Sequence, residues 1–225
     1  MNSIITVGDA RELAKSIEDE SCDFVFADPV YENIEDYLWL AQTAERILKP
    51  DRALLAFCSD VKMFTIKTLM DGIKGLSFVK PFYYVVEAKG SKLRGYGIYT
   101  WTTPALLYVK GDGFPKRTGN HCPDTKIEQV STFISRQRPK GKFKWNKNPE
   151  VLGAWIRSFT NRGETVFDPF AGSGSIGYCC AMLERNCISF EIDPVVAEYA
   201  NKRIASVQHY LPNFNTSQSS FLEGA

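Results

Sequence analysis

Residues 165–175, TVFDPFAGSGS, set a carboxylate, a proline and two glycines where an apolar run gives way to a helical pattern. Thr165, Val166 and Phe167 read as a buried strand that ends in Asp168-Pro169. Gly172 and Gly174 let the backbone turn tightly and approach a ligand that side chains there would block. The helix that follows offers unpaired N–H groups at its start. About 20 residues on, a second strand pattern ends in Phe190-Glu191-Ile192-Asp193, and an acid in that place can accept hydrogen bonds from ribose hydroxyls. The loop lacks both the Gly-Lys-Ser/Thr ending of a phosphate cradle and the G-x-G-x-x-G spacing of dinucleotide folds. Asp168, the glycines and Glu191 together point to a nucleoside cofactor without phosphates, such as S-adenosylmethionine.

The second constellation is Asp28-Pro29-Val30-Tyr31, directly after the apolar run Phe24-Val25-Phe26. Strand carboxyl ends are where α/β proteins place their sites. Asp28 can accept hydrogen bonds from an amino group, and Pro29 restrains the turn so that its carbonyl can face the same amine. Tyr31 offers a flat face for a base to stack on. Alone this is a common turn; beside a cofactor loop it reads as a pocket for an amine-bearing base. The third constellation is residues 136–147, RQRPKGKFKWNK, where Arg136, Arg138, Lys140, Lys142, Lys144 and Lys147 interleave with Phe143 and Trp145. Cations beside aromatics suit phosphate contacts with stacking or wedging of bases. Lys89, Lys92, Arg94, Lys116 and Arg117 are expected to extend that face. Residues 85–150 hold 13 Lys and Arg against 5 Asp and Glu, a net +8, so in a chain of +1 the remainder carries −7. That asymmetry suits a polyanionic partner.

DPVY resembles the Asp-Pro-Pro-Tyr motif of amino-methyltransferases, and DPFAGSGS at 168–175 resembles their cofactor motif. With the amine motif first and the cofactor loop late, the order is similar to that of the β class of DNA amino-methyltransferases, a circular permutation of the usual arrangement. Val7-Gly8-Asp9-Ala10, ERILKPD at 45–51, Lys142-Phe143-Lys144 with Asn148-Pro149, and FEIDPVVAEYANKRI at 190–204 fit the same order. The resemblance covers residues 4–110 and 140–205. It implies S-adenosyl-L-methionine as cofactor, DNA as partner, and methyl transfer to N6 of adenine on a flipped base. Asp28, Pro29 and Tyr31 would form the catalytic pocket. Asp168, Pro169, Phe170, Ala171, Gly172, Ser173 and Gly174 would line the cofactor, Glu191 would hold its ribose, and Asp9 would lie near its adenine. Asn148 and Pro149 fall where the family has Lys-Pro beside the methionine moiety, so the lysine is missing there. Val30 stands for the second proline of the motif, while the amine contacts would use Asp28 and the Pro29 carbonyl. Arg136, Arg138, Lys140, Lys142, Lys144 and Trp145 would meet DNA.

N4 of cytosine is the rival target, since one pocket serves both amines; Asp rather than Ser at position 28 favours adenine. A catalytically silent DNA-binding or partner subunit is the alternative of another class. The middle segment is short for a module that reads a long site, which predicts a short or relaxed target sequence. A prokaryotic or phage protein of restriction-modification type, cytoplasmic, is the expected setting, with a homodimer open.

Positioning these residues requires strands and helices in alternation. Apolar runs predict strands at 4–7, 24–26, 53–57, 78–86, 103–110, 165–167 and 187–192. Helical spacing predicts helices at 9–17, 34–48, 61–70, 149–159, 175–183 and 194–205. The fold class is therefore α/β, a Rossmann-like methyltransferase fold with a mostly parallel central sheet and permuted motif order. One domain is expected over 1–210, with 88–147 as a basic insertion of loops and short elements and 211–225 as a flexible tail. Hydrophobic residues at 44% and charged residues at 24% suit a soluble globular protein. No signal peptide is evident at the start, and no run nears the roughly 20 apolar residues of a membrane span. Six cysteines without a C-x-x-C pair, and two histidines, predict no metal site. Cys179 and Cys180 read as small core residues.

Overall fold

The computed structural model describes residues 3–86, 91–92, 99–112, 131–135 and 147–210. The first half runs β1 (Ser3–Val7), α1 (Ala10–Leu13), a 3-10 turn (Ala14–Ser16), β2 (Cys22–Ala27), α2 (Ile34–Ile47), β3 (Leu48–Phe57), α3 (Met63–Met70) and β4 (Leu76–Val86). After a small ladder of β5 (Ser91–Lys92) and β6 (Tyr99–Thr100) come β7 (Thr102–Lys110) and β8 (Thr132–Ser135). The second half runs α4 (Pro149–Phe159), β9 (Thr165–Asp168), α5 (Ser175–Met182), β10 (Asn186–Glu191) and α6 (Pro194–Tyr210).

Every residue of β2 is buried, as in a strand covered on both faces. Its side chains alternate: Val25 and Ala27 join the cluster with α2 and α3, whereas Phe24 and Phe26 join the cluster with α4 and α5. Helices α1–α3 thus cover one face of the sheet and α4–α6 the other. The strand order is β1-β10-β9-β2-β3-β7-β4-β8. The first five are parallel; β7 runs antiparallel between β3 and β4, and β8 lies parallel to β4.

The order matters most at β9 and β2, which are neighbours. From β9 the chain crosses through α5 to β10 on one side, and from β2 through α2 to β3 on the other. The loops leaving the two carboxyl ends therefore diverge and leave a crevice, the topological switch point where open α/β sheets bind ligands. At the opposite end of the sheet the buried Asp23 fixes the register. Its carboxylate accepts from Lys49 Nζ (2.8 Å) and the Thr165 amide (3.0 Å), and Arg52 joins it to Glu164.

Several boundaries differ from the sequence expectations. The helix at 34–48 ends at Ile47, and β3 starts at Leu48 rather than at residue 53. Pro50 and Asp51 (φ 63°) fall where the pairing with β2 jumps from Cys22↔Leu48 to Phe24↔Ala53. A bulge tolerates both a proline and a left-handed residue inside a strand. The expected helix at 9–17 divides into α1 and the 3-10 turn. In the middle segment, β8 is not a projecting loop but the edge strand of the main sheet; four residues among Gly, Pro and charges are too few to show a period. Residues 136–146, Cys122 and the tail at 211–225 lie outside the described residues.

Cys22, Cys58, Cys179, Cys180 and Cys187 are buried free thiols. Burial pushes Cys22 up to about 11 and Cys58 and Cys179 up to about 12, so they stay protonated and act as packing. Among the described residues no His, Cys, Asp and Glu side chains group into a metal site, and no helix is long and apolar enough to cross a membrane.

The second cluster centres on Trp155 of α4, which has no solvent exposure and lies 5.6 Å from Phe57, 5.6 Å from Phe82 and 6.1 Å from Phe26 between ring centroids. Trp155→Ala should cost about 3–5 kcal/mol, read as a lower urea midpoint at unchanged slope. A loss under 1 kcal/mol would show that the cluster does not hold α4 against the sheet.

Candidate active site

Parallel register brings three carboxylates to one edge of the sheet. Asp168 ends β9 and pairs across to Ser189, Glu191 ends β10 and pairs with Val7, and Asp28 follows the last residue of β2. A cavity of about 420 Å³ opens between the diverging loops, within the range of small-molecule pockets. Asp28, Phe57 and Lys147 form one part of its lining; residues 170–173, Ser175 and Glu191 form another.

The loop after β9 is shaped by its glycines. Gly174 (φ 74°) begins α5, and a Cβ there would lie 2.8 Å from Ala200 Cβ and 3.2 Å from Ile5 Cδ1. Glycine is needed for its conformation and for the close approach of α6 and β1. Gly172 (φ 50°) faces open space, where an added Cβ meets only the Phe170 carbonyl, at 4.0 Å. Its amide donates to Glu191 Oε2 (2.8 Å), while Glu191 Oε1 accepts from the Asp193 amide (2.9 Å). The strand-end acid is thereby held rigidly at the cavity wall. Arg203 of α6 fastens the same loop: its guanidinium donates to the Ser173 carbonyl (3.2 Å) and Ser175 Oγ (3.1 Å) and lies over the Tyr178 ring.

Asp168 is fully buried. Oδ1 accepts from the Phe170 amide (3.3 Å), but Oδ2 is buried without a hydrogen-bond partner. Burial raises this carboxyl well above the usual range, and the nearby charges of Asp28 and Glu191 add to the rise. A buried unpaired oxygen costs stability unless a ligand donor meets it.

On the other side of the crevice, Tyr31 Oη donates to Asp28 Oδ1 (2.9 Å), and Lys147 Nζ donates to Asp28 Oδ2 (2.5 Å) and approaches Tyr31 Oη (3.1 Å). The Lys147 ammonium lies 4.6 Å from the Phe57 ring centroid and 5.7 Å from that of Tyr31. The Tyr31 hydroxyl is raised well above its ordinary range, by burial first and by Asp28 second, so it remains a donor. Pro29 is buried and Val30 is exposed.

Of the residues singled out in the sequence, Asp28, Phe170, Ala171, Gly172, Ser173 and Glu191 line the cavity. Pro169 and Gly174 are buried next to it, and Tyr31 reaches it through Asp28. Asp9 stands beside the end of β10, where the Gly8 amide donates to the Glu191 carbonyl (2.9 Å), and its own carboxylate caps α1 by accepting from the Arg11 amide (2.8 Å). Asn148 caps α4 by accepting from the Glu150 amide (2.9 Å), and Pro149 is the first residue of that helix. Lys147, expected among the DNA-facing cations, instead points its ammonium into the cleft. The signal was in the sequence one position early, since this lysine immediately precedes Asn148-Pro149 where the resemblance placed a Lys-Pro pair. Arg136, Arg138, Lys140, Lys142, Lys144 and Trp145 lie outside the described residues.

Residues 23–202 match the DNA methylase family N6_N4_Mtase. Type II methyltransferase M.BamHI of Bacillus amyloliquefaciens is 26% identical over 82% of this chain, and the chain spans 53% of that relative's length. Type II methyltransferase M.HpaI of Haemophilus parainfluenzae is 24% identical, over 92% of this chain and 75% of the relative. Among solved structures, the complex of M1.HpyAVI with SAM superposes with a TM-score of 0.75 at 24% identity, covering 89% of this chain and 98% of the other. The PvuII cytosine-N4-specific DNA methyltransferase superposes with a TM-score of 0.73 at 17% identity, covering 94% and 95%. A cavity at the switch point, an acid on each of three adjacent strand ends and a match over most of the length agree: this chain belongs to the N6/N4 DNA methylase family.

Proposed function

We propose that this chain transfers a methyl group from S-adenosyl-L-methionine to an exocyclic base amine in DNA, N6 of adenine. The observation that carries the reading is the placement of Asp28 across one cavity from the Gly172 turn and Glu191. The residues fit the cofactor. Glu191, braced by two backbone amides, keeps lone pairs for ribose hydroxyls. The open space at Gly172 admits a ligand close to the backbone. The orphaned Asp168 Oδ2 suits a cationic donor such as the cofactor's ammonium. Phe170 lends an apolar wall, steadied by edge contact with Trp39 at 5.9 Å. The cofactor, when bound, supplies a methyl group on a positively charged sulfur.

The amine is a poor nucleophile because its lone pair is delocalised into the ring. Asp28 and the Pro29 carbonyl accept its hydrogens and concentrate electron density on nitrogen, and the fixed crevice holds the reacting groups in place. Tyr31, tied to Asp28, orients that carboxylate and offers its ring face for the base to stack on. Extruding the base costs a few kcal/mol, which pocket contacts offset. The net +8 of residues 85–150 supports DNA as the partner. The short middle segment supports a short or relaxed target. The same pocket accepts N4 of cytosine, and Asp at position 28 favours adenine on the family resemblance.

Incubating the purified chain with unmethylated DNA and methyl-labelled cofactor, then digesting to nucleosides, should give label on N6-methyladenine. Label on N4-methylcytosine would replace the target, and no label on DNA would reject the reading. Asp28→Asn should lower turnover at least about a thousandfold with cofactor affinity within about twofold; normal turnover would rule out the amine role. Glu191→Gln should weaken S-adenosyl-L-methionine binding about tenfold in calorimetry, and unchanged affinity would remove Glu191 from the ribose contact.

Asp168 gives a pH-dependent test. Its carboxyl is raised in the folded state, so its stabilisation is present below the ordinary carboxylate pKa of about 4 and lost as pH rises toward the raised value. The empty protein carrying Asp168→Asn should therefore melt higher than the parent at pH 8, with the gap closing toward pH 4, while binding the cofactor about tenfold more weakly. A variant less stable at pH 8 would mean that the empty site already satisfies Asp168.

A further inference from the structure

Both oxygens of Asp28 are engaged within the protein: Oδ1 by the Tyr31 hydroxyl and Oδ2 by the Lys147 ammonium. A nitrogen that donates hydrogens to Asp28 at the end of β2 is also what the target amine presents. Lys147 is mostly shielded, with 13% of its side chain exposed, and its ammonium faces the Phe57 ring. One aromatic face, that of Phe57, one carboxylate and the Tyr31 hydroxyl therefore receive a cation in the space where an aromatic ring bearing an amine would lie. We propose that Lys147 is a place-holder for the target amine, a specificity-determining residue whose ammonium the incoming amine must displace from Asp28.

This rests on the amine-methylating reading of the site. The ammonium keeps Asp28 aimed and its pocket filled until a base with a donor pair arrives. A ring that offers a carbonyl at the same position cannot replace the lost bonds, because an acceptor facing a carboxylate leaves both unsatisfied. Lys147 thus acts on binding of the flipped base. The positions that allow this are fixed, since the residue lies two positions before the first residue of α4, whose cap holds the backbone at Asn148. Only the side chain needs to move.

The test is a steady-state comparison of the full chain with its Lys147→Ala and Lys147→Met variants, the second keeping an apolar stem on Phe57. The DNA is a duplex bearing the site mapped with the parent protein, intact or with the target base mismatched so that extrusion is easier. The place-holder role predicts KM for the mismatched duplex on the order of tenfold lower in both variants, cofactor Kd within about twofold, and kcat within about threefold. Two results overturn it. Cofactor Kd weakened tenfold or more in both variants makes Lys147 a cofactor contact, and kcat lowered a hundredfold at unchanged KM makes it part of the chemistry. Unchanged KM in both folded variants, judged by melting, likewise sinks it. A parent protein that labels no base amine would instead defeat the underlying reading, and that control is in the same assay.

Discussion

The parallel pairing of β9 with β2 is the constraint from which the site follows. With Phe24 opposite Val166 and Val25 opposite Phe167, the two strands end side by side. Their crossovers leave in opposite directions, so nothing from the backbone fills the gap between them. The register cannot slip by one residue without turning Phe24 and Phe26 toward the α2 layer and Val25 toward α4. At the far end, Asp23 adds polar selection to that apolar one. A buried carboxylate bonded to the Thr165 amide and facing two cations tolerates no other pairing. Asp28 and Asp168 are neighbours because residues five and three positions before them are locked together.

That geometry creates an electrostatic problem. Asp28 and Glu191 line one cavity, Asp168 lies buried between their strands, and the first two raise the carboxyl of the third. The chain answers each differently. Glu191 spends its charge on two backbone amides, Asp28 holds a lysine and a tyrosine, and Asp168 is left with one amide and an unpaired oxygen. An unsatisfied buried group is a cost that folding alone has no reason to keep. Kept at the foot of a glycine turn, it is what the proposed reading assigns to a cationic group of the cofactor. Stability and binding thus pull the residue in opposite directions.

How much of this the sequence carried depended on the length of each signal. Strands with an unbroken apolar run and helices with apolar residues at helical spacing were legible, and so were the two Asp-Pro turns, because turn chemistry is local. β8 was not, since its four residues gain their strand character from pairing with Tyr83–Val86 of β4, at long range in the chain. The start of β3 was hidden by Pro50 and Asp51, which read as a break and prove to be a bulge. The cofactor loop could be assigned to its strand and helix. The partnerless Asp168 oxygen could not, because burial is a property of the packed layers. Lys147 was read by composition among its cationic neighbours, although its place directly before Asn148-Pro149 set it apart.

Lys147 also shows how the basic segment and the catalytic frame are joined. Its backbone precedes Asn148, whose side chain caps α4, and α4 is held by Trp155 against Phe57, the residue beneath the ammonium. The lysine therefore stands, in the chain, between a basic stretch and a helix packed into the core. Its tether to the core is short, and Asp28 holds its cation at the end of β2. If DNA is the substrate, as proposed, its phosphates are rival anions for the same ammonium. On the proposed reading, DNA binding and release of Asp28 are linked through one side chain, because the Lys147 ammonium can leave Asp28 while its backbone stays fixed to the cap of α4.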